Sequence, residues 1–102
     1  MNMLFITGLK EYLPDIAALL RRAAIPVYSV TGTTGFKTDQ PADLSADWFA
    51  AGSGVFDSVC VFSFTGQQEA DTAMALIRDY NQQHSTGFPL RAFILPVADH
   101  SH

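Results

Sequence analysis

Val55-Phe56-Asp57-Ser58-Val59-Cys60-Val61-Phe62-Ser63-Phe64 is the stretch that decides the fold. Val59 and Val61 fall on one alternating face of an extended chain, and Cys60, Phe62 and Phe64 on the other. Both faces are therefore apolar, the pattern of a central strand covered on two sides. A sheet with helices on one side only needs one apolar face per strand. The second face predicts a cover of its own, either another copy of the chain or a loop folded over it, and self-association is the simpler of the two.

Downstream, Thr65 and Gln68 stand three residues apart in the form of a capping box, which predicts a helix starting there. Its inner stripe is Ala70, Ala73, Met74, Ile77 and Tyr80, with Glu69, Asp71, Arg78 and Asp79 facing outward. The helix frays through Asn81-Gln82-Gln83, and Gly87 and Pro89 break the chain before a further strand, Leu90 to Val97. Upstream, Met3 to Thr7 reads as a first strand closed by Gly8. Pro14 and Asp15 suit the first turn of a helix whose stripe is Ile16, Leu19, Leu20 and Ala23, with Arg21 and Arg22 in its last turn. Val27 to Thr31 gives a second strand, expected to end in a turn at Gly32-Thr33-Thr34-Gly35. The segment Lys37 to Gly54 has no sustained period. At about 18 residues it is longer than most connections in a compact domain, and such loops tend to carry function.

The order β-α-β, loop, β-α-β is the split βαβ pattern. It predicts an α+β, ferredoxin-like βαββαβ sandwich: an antiparallel four-stranded sheet with both helices on one face, in one domain spanning residues 1–102. A chain of 102 residues that is 48% apolar, 12% aromatic and only 16% charged has a lean charged surface. Subunit contacts are expected. The net charge of −4, with six basic residues, argues against a protein that grips nucleic acid. Cys60 is the one cysteine, so no intrachain disulfide forms, and its mid-strand position reads as a small buried hydrophobe. No run approaches the roughly 18 to 20 apolar residues of a membrane span, and Met3 to Ile6 lacks the features of a secretory leader. A cytoplasmic protein without membrane insertion is expected.

Several residues resemble a known family once this order is set out. Val30-Thr31 and Gly35-Phe36 stand where the nitrogen-regulatory PII superfamily has a strand ending in a Thr-containing run and a Gly-Phe pair that opens its long T-loop. Thr86-Gly87 stands at the Thr-Gly of the family's B-loop, and Phe93-Ile94-Leu95-Pro96-Val97 resembles its last core strand. The chain is thus similar to PII-like signalling proteins over nearly its whole length, the segment 37–54 apart. The resemblance implies a homotrimer that binds ATP, ADP or another small anionic effector in clefts between subunits. It also implies a regulated partner, a transporter or an enzyme, addressed through the long loop. The effector positions it implies are Thr31, Gly35, Phe36, Lys37, Thr86, Gly87 and Arg91. Trp48 and Phe49 in the loop are expected to pack on a neighbouring subunit or dock on the partner protein. The chain departs from the family in having Phe88-Pro89-Leu90 and the single cation Arg91 after Gly87, no basic C-terminal loop, and Lys37 in place of a second glycine. The trimeric CutA-type proteins are the second resemblance, through the same closing strand; their first-strand cysteine and longer C-terminal helix are missing here.

Other groupings are weaker. Gly32 to Thr38 has glycines, a lysine and a threonine, but not the spacing of a phosphate loop, and reads first as a turn. His100 and His102 project to one side of an extended tail and, with Asp99 or the chain carboxylate, form a candidate site for a transition metal. No nucleophile sits beside a base and no carboxylate pair shares a recognisable motif, so the reading is regulatory rather than enzymatic.

Overall fold

The structure, a computed structural model, describes residues 1–37, 54–84 and 87–102. The elements are β1 (Asn2–Leu9), a single 3-10 turn (Lys10–Tyr12), α1 (Leu13–Arg22), β2 (Ser29–Lys37), β3 (Gly54–Thr65), α2 (Gln67–Gln83) and β4 (Arg91–Pro96). The four strands form one sheet in the order β2-β3-β1-β4, with every neighbouring pair antiparallel. This is the expected ferredoxin-like arrangement.

One face of the sheet carries Leu4, Ile6, Val59 and Val61, each at most 4% exposed. Ile16, Leu19, Leu20 and Ala23 of α1 and Ala73 and Ile77 of α2 pack against them, and Ile25 and Leu90 close the cluster. The stripes legible in the sequence are the stripes that are buried. Met74 and Tyr80 lie at the margin, half-buried. Polar side chains at the end of this face are satisfied. Ser63 Oγ donates to the Val27 carbonyl at 2.6 Å, and Asn2 Nδ2 donates to Gln67 Oε1 at 2.7 Å.

α1 begins with a proline in its first turn, where a missing N–H costs nothing, and keeps Arg21 and Arg22 in its last. Its end is a Schellman motif. The Ile25 N–H bonds to the Leu20 carbonyl at 3.0 Å, and the Ala24 N–H to the Arg21 carbonyl at 3.1 Å. The motif requires a left-handed residue, and Ala24 supplies it at φ 60°.

Two local expectations are corrected. Gly32-Thr33-Thr34-Gly35 is not a turn: β2 continues through it to Lys37, held by pairing from Gly32↔Val59 to Lys37↔Gly54. Ladder hydrogen bonds along a long β3 outweigh the local freedom of two glycines. Thr65 does not cap α2 either. It is the last residue of β3, paired with Asn2, and the N-cap is Gly66, with no side-chain cap bond. The Glu69 carboxylate, in the first turn, lies over Gly66, where its negative charge complements the helix N-terminus.

Candidate functional site

Strand register assigns the opposite face of the sheet row by row. Phe64, Met3 and Leu95 form one row across β3, β1 and β4. The next is Ser29, Phe62, Phe5 and Phe93, now including β2. The third is Thr31, Cys60, Thr7 and Arg91. Neither helix packs on this face. Phe64 is 57% exposed, Leu95 42% and Phe93 40%. Phe62 and Phe64 meet edge to face at 6.4 Å, and a shallow cavity of about 360 Å³ lies among Met3, Phe5, Phe93, Ile94 and Leu95. The second apolar face read from Cys60, Phe62 and Phe64 therefore exists, and no helix among the described residues covers it.

The third row is where the face changes from apolar to polar. Thr7 is buried, and the Cys60 side chain bonds to it. Burial raises the Cys60 thiol above its ordinary pKa, with the Thr7 contact opposing in the smaller sense, so the sulfur is held as a neutral thiol. The expectation of a small buried hydrophobe at Cys60 is adjusted: the residue is half-buried and on the side away from the helices. Arg91 ends the row on the edge strand β4, half-buried, and its Nε is enclosed without a hydrogen-bond partner among the described residues. A guanidinium nitrogen removed from water and left unpaired costs on the order of 1–3 kcal/mol. An anion at this edge would recover that cost through a charge-assisted bond.

The candidate effector residues are distributed across the molecule. Thr31 and Gly35 are on the open face of β2, and Phe36 points to the other side, 68% exposed. Thr31 and Arg91 share a row but sit on opposite edge strands, three strand spacings or about 14 Å apart. One chain does not bring them together. Gly87 is exposed before β4, with open space where a Cβ would stand. Lys37 ends β2. Thr86, Trp48, Phe49 and the loop expectation over 38–53 lie outside the described residues. On the helix side of β2, a cavity of about 740 Å³ is lined by Lys10, Val30, Gly32, Thr34 and Asp57 among others. A lone lysine after a strand, such as Lys10, carries no signal in the sequence.

His100 and His102 are exposed, their rings 4.9 Å apart. Among the described residues no three His, Cys, Asp or Glu side chains gather as a metal site. Asn81, expected only to fray, instead bonds through its amide to both backbone groups of Leu90. No helix among the described residues is long and apolar enough to cross a membrane.

No family model matches the chain, and no curated protein matches it by sequence. Solved structures do. A candidate PII-like signalling protein from Thermus thermophilus superposes with a TM-score of 0.64 at 12% identity, over 91% of this chain and 82% of that one. A nitrogen regulatory PII-like protein from Thiomonas intermedia, bound to ADP, AMP and bicarbonate, gives a TM-score of 0.62 at 13% identity, over 98% of this chain and 94% of that one. The sheet order, the two helices on one face and these superpositions together show that the chain has the fold of the PII-like signalling proteins.

Proposed function

We propose that the protein is a PII-like regulator that assembles as a homotrimer, binds a small anionic effector between subunits and acts on a partner protein through the segment 37–54. The observation that carries this reading is the open sheet face, apolar over two rows and ending in a polar row with a buried, unpaired Arg91 Nε. Phe64, Phe93 and Leu95 are about half exposed, so leaving them so forgoes roughly 1 kcal/mol for each side chain. Packing the faces of several copies together recovers it. Such packing would also set the Thr31 edge of one copy near the Arg91 edge of the next, completing a pocket that one chain leaves split. Gly35, Phe36, Lys37, Thr86 and Gly87 belong to the same proposed cleft.

ADP or ATP is the first effector to consider, since the Thiomonas relative in fold was solved with adenine nucleotides and bicarbonate. An effector that prefers one conformation of the long segment would shift its population and so its affinity for a transporter or enzyme. Isothermal titration with ATP, ADP, cyclic nucleotides and bicarbonate tests this. Saturable heat with one of them, with affinity weakened in Arg91→Ala, supports the reading; no heat with any removes the effector. A second reading, metal binding by the tail, has the adjacent imidazoles of His100 and His102 in its favour. Deleting residues 99–102 and titrating zinc and copper separates the two, because only the second predicts a large loss of metal affinity.

A further inference from the structure

Arg91 opens β4, and the residue that fixes where β4 opens is on α2. Asn81 Oδ1 accepts the Leu90 N–H at 2.9 Å, and Asn81 Nδ2 donates to the Leu90 carbonyl at 2.9 Å. One amide thus serves both backbone groups of a single residue, as a neighbouring strand would. Both bonds are part-buried. Leu90 is 3% exposed, and its side chain lies so close over Gly8 that a Cβ there would stand 2.7 Å from Leu90 Cδ2. Backbone and side chain of Leu90 are therefore both held, and Arg91 follows with no residue between.

The choice of amide is chemically specific. An ionised aspartate accepts but does not donate, so it would face the Leu90 carbonyl with a second negative oxygen. Alanine leaves the Leu90 N–H and carbonyl without their side-chain partners. Asn81 is not itself a member of the core cluster, and of that cluster only Leu90 takes its side-chain bonds.

We propose that Asn81 is a positioning residue: by clamping Leu90 it places the Arg91 guanidinium at the polar end of the open sheet face, ready for an anion. The inference rests on Arg91 being an effector contact, as argued above, but it also predicts a property of the unliganded protein. In the wild type the Arg91 Nε–H, enclosed as it is, exchanges slowly with solvent. In Asn81→Ala and Asn81→Asp it exchanges at least about tenfold faster, while the amides of Val61 and Ile77 keep their protection. ADP is the binding probe, and its affinity falls about tenfold in either variant. The Arg91→Ala,Asn81→Ala double variant binds no more weakly than Arg91→Ala alone, because Asn81 acts through the guanidinium.

Unchanged Arg91 Nε–H exchange in both variants overturns the proposal whatever ADP does. So does a further loss of ADP affinity when Asn81→Ala is added to Arg91→Ala, which would make the clamp a general support. If the wild type takes no ADP but the exchange responds as expected, the positioning role stands and the effector reading fails. Asn81→Asp serves where Asn81→Ala does not fold.

Discussion

Ala24 and Tyr80 show what single side chains do for this fold. Ala24 holds the left-handed position that the end of α1 requires, at φ 60°. A Cβ there costs roughly 1 kcal/mol relative to glycine. Ala24→Gly should therefore raise stability by about 0.5–1 kcal/mol, less the entropy glycine gains when unfolded, as read from urea denaturation. Tyr80 joins the two helices: its hydroxyl donates to Asp15 Oδ2 at 2.6 Å, and its ring stacks on His84 at 4.1 Å. Burial first, then the bond to Asp15 and its negative charge, push the Tyr80 pKa up to about 12. The folded state thus favours the neutral phenol. The resulting stability is fully present below the unfolded value of about 10 and is lost as pH rises toward 12. Wild type minus Tyr80→Phe should give a stability difference that is flat up to about pH 10 and declines above it. Tyr80 was legible as a helix-stripe residue, because spacing shows which face it is on. Its partner Asp15 was not, since the two are 65 positions apart.

At the scale of elements, packing depends on one small residue where β1 leaves the core. A Cβ on Gly8 would press on Leu90 Cδ2, the end of a side chain buried in the core at 3% exposure, which can yield only by displacing its core neighbours. Gly8→Ala should cost about 1–3 kcal/mol of stability by overpacking, measured by thermal or urea unfolding with the fold retained by circular dichroism. The sequence located every described strand and both helices, since alternation in β3 and the stripes of α1 and α2 are strong periodic signals. It misplaced the end of β2 and the cap of α2. Both errors have one cause. Gly32, Gly35, Thr65 and Gln68 carry only local preferences, whereas β3 runs from Gly54 to Thr65 and extends the ladder over all but the last of them. Long-range pairing is not visible in a short window of sequence.

For the whole molecule, the two-sided character of Val59 to Phe64 is the feature that links fold to proposed function. Val59 and Val61 are covered by the helices, while Phe62 and Phe64 stand on the open face beside Phe5, Phe93 and Leu95. That much was legible in β3 alone. The proposed effector site is legible only as a set of residue types, because Thr31 and Arg91 lie on opposite edges of the sheet and no single-chain argument joins them. Burying the open face between copies is the step on which the proposed shared cleft, effector and control of a partner all depend. Leu95→Glu should disrupt it, since a carboxylate in the apolar row would have to be buried unpaired, and it leaves the helix-side core untouched. Sedimentation equilibrium at micromolar concentration is the direct measurement. The wild type is predicted to sediment at three times the chain mass of 11.1 kDa, and Leu95→Glu as a folded species of 11.1 kDa. A wild-type protein that stays at 11.1 kDa across that range would contradict the account.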